Sequence, residues 1–214
     1  MDKAGNFLPS VNQIKFLDIG AGERKTLIEA VNRGWETTGI DIVDNRVDKD
    51  ESSRVNFIKG KFLEYDFPEN HFDFIYMDSV LEHVLEPLGY FTKAEKILKP
   101  GVILYIGVPN EDSLFNYIMR AAFKLVGKGN FSEKLKPFDT PYHVVGFNFH
   151  SLKYLIRLAG MKTKYIRSFG RKFDFLSFPP YKKGFWISLI FLFPMEIVGY
   201  LVNRDVYLRA YLSK

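Results

Sequence analysis

Apolar positions follow two rhythms along this chain. Short, nearly continuous apolar runs alternate with stretches whose apolar residues recur every three or four positions. The first run, Val11 to Ile19, stops at Gly20-Ala21-Gly22, and helical spacing follows from Lys25 to Asn32. Gly34 ends that helix, and Glu36 to Ile42 forms a second run. Strand, glycine turn, helix, strand is the order of a parallel βαβ unit. A charged surface connection, Asp44 to Arg54, leads to a short strand at Val55 to Ile58 and a Pro68-containing loop from Phe62 to Asn70. Phe72 to Met77 reads as strand four. Pro87 to Leu98 has helical spacing and stops at Lys99-Pro100-Gly101. Val102 to Val108 is almost wholly apolar, as a strand covered on both faces should be. This alternation predicts an α/β doubly wound, mostly parallel sheet.

The rhythm loosens afterwards. Asn110 to Thr140 reads as an insertion over the carboxyl ends of the strands, a substrate lid containing a helix from Leu114 to Val126. Ser151 to Ala159 is a helix with Ser151 as N-cap and Gly160 as its stop. Lys164 to Ser168 is strand six, and Val206 to Leu212 closes a seven-stranded sheet after an apolar helical segment at 184–202. The whole chain, 1–214, is expected to be a single domain.

Composition narrows the class. With 47% hydrophobic and 26% charged residues the chain is globular, and zero Cys excludes disulfides and thiolate metal sites. No signal-peptide pattern is visible in Met1 to Pro9, so a cytoplasmic location is expected. A net charge of +5 suits a scattered basic surface better than a nucleic-acid site. The uncharged run Gly184 to Met195 has 12 residues, short of the roughly 20 that a bilayer span needs. It reads first as a helix packed on the sheet or on a partner, with a homodimer as one form. The alternative is a peripheral membrane anchor, with Arg171, Lys172, Lys182, Lys183 and Trp186 as a basic, aromatic rim.

The chemistry concentrates at the first glycine turn. Gly20 and Gly22 let the backbone approach a ligand closely. Asp41, 23 residues after Asp18, ends the second strand where an acid can accept bonds from ribose hydroxyls. A nucleoside-containing ligand with an adenosyl group follows. Asp78 and Ser79 end strand four, where ligands bind in such sheets.

Four segments in order resemble class I S-adenosylmethionine-dependent methyltransferases, of the small-molecule type that includes ubiquinone-biosynthesis and sugar O-methyltransferases. They are Leu17-Asp18-Ile19-Gly20-Ala21-Gly22 with Gly39-Ile40-Asp41; Phe72 to Tyr76 with Val80-Leu81-Glu82-His83-Val84; Leu98-Lys99-Pro100-Gly101 through Val108-Pro109-Asn110; and Pro141-Tyr142-His143 with Ser151 to Met161. The resemblance implies S-adenosyl-L-methionine as cofactor and a Rossmann-like methyltransferase fold. It places Asp18, Gly20, Ala21 and Gly22 at the methionine end, Asp41 and Ile42 at the ribose, Lys61 and Phe62 at the adenine, and Asp78 beside them. Two positions depart from the family pattern: Lys61 where an acid to the adenine amino group is usual, and Arg24 where a third glycine is common. Glu64 or Asp66 is the substitute acid. The implied reaction moves a methyl group to an oxygen of a small or lipid-linked acceptor, a glycan or quinone precursor. It needs no metal, with His143 or His83 as candidate catalytic base. Two alternatives stay open: a non-catalytic binding or scaffold protein, motivated by Arg24 and Lys61, and nucleic-acid methylation. The latter lacks a dense Lys/Arg cluster and a base-flipping tetrad, since Pro179-Pro180-Tyr181 comes too late in the order.

Overall fold

The computed structural model describes residues 13–22, 25–44, 55–127, 143–170 and 179–214. Seven strands form one sheet: β1 (Lys15–Ile19), β2 (Glu36–Asp41), β3 (Asn56–Lys59), β4 (Phe72–Asp78), β5 (Leu98–Pro109), β6 (Lys162–Phe169) and β7 (Tyr207–Ser213). Their order is β3-β2-β1-β4-β5-β7-β6, with β7 antiparallel to both neighbours and every other pair parallel. The order reverses at β1, so the crevice between the carboxyl ends of β1 and β4 is the switch point where such sheets bind ligands. The doubly wound, mostly parallel expectation is borne out.

Alternation along the strands assigns two cores. Leu17, Ile19, Ile75, Met77, Leu104 and Ile106 face helices α2 (Pro87–Ile97) and α4 (Phe149–Leu158) through Phe91, Ala94, Ile97, Leu152 and Ile156. Phe16, Phe74, Tyr105 and Tyr211 face the other way, with Leu27 and Ala30 of α1 (Lys25–Asn32) in the same cluster. Apolar residues at alternate positions on both faces are what a sheet covered by helices on each side requires.

Several boundaries moved for physical reasons. β5 begins at Leu98, not Val102, because Leu98 pairs with Phe72 before Lys99-Pro100-Gly101 bulges out of register, with Gly101 at φ +79°. The N-cap of α4 is Asn148 and not Ser151: Asn148 Oδ1 accepts from Ser151 N at 2.9 Å, and Ser151 Oγ accepts from Asn148 N at 3.0 Å, a reciprocal capping box. Of the predicted insertion, 128–140 lies outside the described residues. Its described part holds α3 (Leu114–Leu125), capped by Ser113, and none of α3 is buried.

The apolar segment departs most from expectation. It is one continuous helix, α5 (Lys183–Leu201), of 19 residues, long and apolar enough to cross a membrane. Only 11% of its most apolar stretch is buried, so of the expected packing on the sheet or on a partner, this chain's own sheet supplies little. A π turn at Ser188–Leu192, with Phe193 N–H donating to Ser188 O, absorbs Pro194, whose missing N–H and bulky ring disrupt ordinary i−4 bonding.

Candidate active site

The first glycine turn is held from both sides. Gly20 N donates to Ile40 O at 2.9 Å, and Gly22 N to Asp41 Oδ2 at 2.8 Å. Asp41 Oδ1 also accepts from Val43 N at 3.0 Å, so this carboxylate ties the turn to the end of β2. Both glycines have positive φ (+74° and +47°). A Cβ on Gly20 would lie 2.4 Å from Val80 Cγ2, so glycine is required there by contact as well as conformation.

A cavity of about 420 Å³ opens beside this turn at the carboxyl end of the sheet. Gly20, Gly22, Asp41 and Ile42 line one side; Gly60 and Phe62 line a second; Ser79, Val80, His83, Val84 and Tyr90 complete it. Its size falls within the range of small-molecule sites. The Phe62 and Tyr90 rings stand 5.2 Å apart and form an aromatic wall. Ser79 holds φ +57° while its N–H donates to Gly107 O, a non-glycine residue in a costly conformation at the switch point. A larger, more open groove of about 830 Å³ runs along α2 past Leu85, Leu88 and Lys96. It lies away from the strand ends and gathers none of this chemistry, so the smaller cavity is the candidate site.

Behind the turn, Asp18 and Asp78 end the neighbouring strands β1 and β4. Asp18 is 3% exposed, and burial, then Asp78, then Asp41 push its carboxyl well above the usual carboxylate range. Burial raises Asp78 as well, against the hydrogen bond it accepts from the Tyr76 hydroxyl at 2.8 Å. Asp18, buried, and Asp78, half-buried, are neighbouring acids whose ionised forms can receive a cation.

At the far side, Leu81–His83 forms a single 3-10 turn. The Glu82 carbonyl accepts from Val144 N at 2.7 Å, which holds the segment from His143 against this turn. The His83 and His143 rings meet edge to face at 4.9 Å. His143 is pushed below the usual histidine range by partial burial and by His83. Glu82 is 2% exposed, burial raises its carboxyl, and its Oε2 has no hydrogen-bond partner among the described residues. Its Oε1 stands 3.8 Å from His83 Nε2. Donor atoms of Glu82, His83 and His143 lie within 4.8 Å of one another, a spacing that one metal ion can also use.

A methyltransferase-domain family model matches residues 2–161, three quarters of the chain. The chain belongs to the methyltransferase-domain family. A sterol 24-C-methyltransferase of Gibberella zeae is 29% identical over 99 residues, covering 42% of this chain and 26% of that protein. Phosphoethanolamine N-methyltransferase 2 of Caenorhabditis elegans is 29% identical over 105 residues, covering 45% and 23%. The matches thus span about a quarter of these curated relatives. Among solved structures, a SAM-dependent methyltransferase from Archaeoglobus fulgidus superposes with a TM-score of 0.62 at 16% identity, covering 100% of this chain and 90% of that one. The [4+2]-cyclase SpnF reaches 0.64 at 16% identity, covering 100% and 79%. These likenesses bear out the Rossmann-like methyltransferase fold, and the cyclase shows that the fold alone does not dictate methyl transfer.

In this methyltransferase-family chain the expected site residues are placed unevenly. Gly20, Gly22, Asp41, Ile42, Phe62 and His83 line the cavity, and Asp18 and Asp78 lie behind it. Ala21 is buried with the Leu27 and Phe16 cluster and supplies packing. Lys61 is not among the lining residues: its ammonium extends along the surface to Glu64 Oε1 at 2.7 Å, which also engages the proposed substitute acid. His143 is exposed and touches His83 from outside the lining. Arg24 lies outside the described residues. Tyr90 and Val84 escaped the sequence reading, because an aromatic and an aliphatic residue near a helix start carry no signal beyond packing.

Proposed function

We propose that this chain transfers a methyl group from S-adenosyl-L-methionine to a hydroxyl oxygen of a small or lipid-linked acceptor. The observation that carries the reading is the cavity itself: a glycine turn pinned by Asp41 on one side, and an imidazole on the other. The cofactor's adenosine fits between Asp41 and the Phe62–Tyr90 wall, since carboxylate lone pairs not used by Gly22 and Val43 remain for ribose hydroxyls. Its ammonium fits the cation-seeking pair Asp18 and Asp78. His83 would take the acceptor's proton, and the cofactor, when bound, would supply an electrophilic sulfonium methyl group for the acceptor oxygen. His143 stands behind His83 and, with its proton affinity lowered, stays neutral near neutral pH. Enclosure and alignment supply most of the rate, because charge disperses as the sulfonium is consumed. The sterol in one sequence relative's name supports an amphiphilic acceptor.

Calorimetry with S-adenosyl-L-methionine, followed by an acceptor screen read by S-adenosylhomocysteine release, tests the reading. Binding with turnover that falls about 10²-fold in His83→Ala is expected. No cofactor binding by the wild-type chain would favour the scaffold alternative. Loss of turnover on chelation, restored by a divalent cation, would assign Glu82, His83 and His143 to a metal.

A further inference from the structure

The helix α5 offers water a continuous apolar face. Ile187, Ile190, Phe191, Ile197, Val198 and Leu201 recur at helical spacing and are 39–72% exposed. Helix α3, which packs against the second half of α5, adds Tyr117, Ile118, Leu125 and Val126, exposed by 42–87%. Patches of this extent mark a partner or a membrane. The charge distribution selects between them. Lys182 and Lys183 stand exposed beside Trp186 at one end of α5, and Arg120 and Lys124 stand exposed on α3. The acid within α5, Glu196, is half-buried and turned to the sheet edge, its carboxyl carbon 3.5 Å from where a Gly170 Cβ would sit. Apolar face, basic rim and inward acid together match an anionic lipid surface.

Topology decides how the helix meets that surface. At about 1.5 Å per residue, its 19 residues span about 28 Å, enough to cross a bilayer. Its final turns, however, are fastened to the sheet. Arg167 Nη2 donates to Tyr200 O at 3.1 Å, Arg204 N to Gly199 O, and Ser168 N to Asn203 Oδ1 at 2.8 Å. A crossing helix would drag these charged and polar groups into hydrocarbon. The strands on either side of α5 also pair at Phe169 and Tyr207, opposite Pro109 at the carboxyl end of β5. That is the end of the sheet at which the cavity opens.

We propose that α3 and α5 form a lipid-docking surface that lies in the interface of an anionic membrane without spanning it. It presents the cavity's end of the sheet to the lipid layer. The surface stands on its own geometry; that the acceptor is drawn from the lipid rests on the functional reading above.

Co-sedimentation of the full chain with phosphatidylglycerol/phosphatidylcholine vesicles tests it. The wild-type chain should pellet, less so with pure phosphatidylcholine or at high salt. The double substitution Ile190→Glu, Phe191→Glu should lower partitioning by roughly tenfold or more. Affinity for S-adenosyl-L-methionine should be unchanged in that variant, which shows that it folds. Equal partitioning of the two proteins, or none by the wild type, would overturn the surface. So would concentration-dependent dimerisation of the wild type without vesicle binding, which assigns the face to a second copy. Resistance to alkaline carbonate extraction would overturn the interfacial placement in favour of a span. A wild-type chain that pellets without binding cofactor would leave the surface standing and sink the functional reading.

Discussion

Gly20→Ala separates the two demands the first turn makes on its glycine. Left-handed φ costs an alanine roughly 1–2 kcal/mol. The added Cβ would also lie 2.4 Å from Val80 Cγ2, and relieving that contact means shifting a side chain packed on the core. Overpacking of this kind costs about 1–3 kcal/mol, so the substitution should destabilise by about 2–5 kcal/mol. In a Val80→Ala background the contact vanishes and the conformational penalty stays, leaving about 1–2 kcal/mol. At about 2–4 °C per kcal/mol for a chain of this size, the midpoint should fall by about 4–20 °C with Val80 present and by about 2–8 °C without it. Urea unfolding of the four proteins gives the coupling directly, expected at about 1–3 kcal/mol. Additive costs, with no coupling, would refute the close approach of Gly20 to Val80.

Asp41→Ala removes the acceptor for both Gly22 N–H and Val43 N–H, so it should destabilise by about 1–3 kcal/mol and abolish calorimetric binding of S-adenosyl-L-methionine. Retained affinity would move the ribose elsewhere. Asp18 binds its proton more tightly folded than unfolded, so stability without cofactor should decline as pH rises from the ordinary carboxylate range through its raised value. Cofactor affinity should run the other way over that window, because the cation binds the ionised acids. Melting curves and titrations across pH check both, and Asp18→Asn should flatten most of each dependence. The His143 imidazole should titrate below the usual histidine range, read from its ring-proton shifts across pH, because partial burial and the neighbouring His83 disfavour its charged form; a value above that range would exclude the contact.

The sheet was legible because its strands announce themselves locally: Phe72 to Met77 and Val102 to Val108 are apolar on both faces, and glycines punctuate β1 and its helix. The glycine turn and Asp41 were legible for the same reason, being consecutive in sequence and in space. What escaped depended on distant partners. Ser151 looks like an N-cap, yet Asn148 takes that place because the two side chains exchange bonds with each other's backbone. Lys61 occupies a promising position, but Glu64 three residues on captures its ammonium. The proximity of His83 and His143, 60 residues apart, comes from the Glu82 carbonyl holding Val144, which no local pattern encodes. The apolar run was counted to its first charge, Glu196, although that residue turns inward and the helix continues to Leu201.

The antiparallel strand β7 explains why an exposed apolar helix and a cofactor-sized cavity share one end of the molecule. A parallel strand in the last position would need a crossover returning to the amino end of the sheet. Because β6 runs with β5 and β7 against both, the chain leaves β6 and enters β7 at the carboxyl end, a link that two to five residues can make in an ordinary hairpin. Here residues 170–206 occupy that link, so whatever is inserted lands at the same end of the sheet as the switch point without disturbing strand register. α3 leaves the carboxyl end of β5 through Asn110, whose side chain donates to Asp205 O at 2.8 Å, and so reaches the same edge. Sequence added at these two links can change what is brought to the cavity while the glycine turn, Asp41 and Asp18 stay fixed on rigid strand ends. Acceptor choice is therefore expected to follow α3 and α5, and cofactor choice to follow β1, β2 and β4.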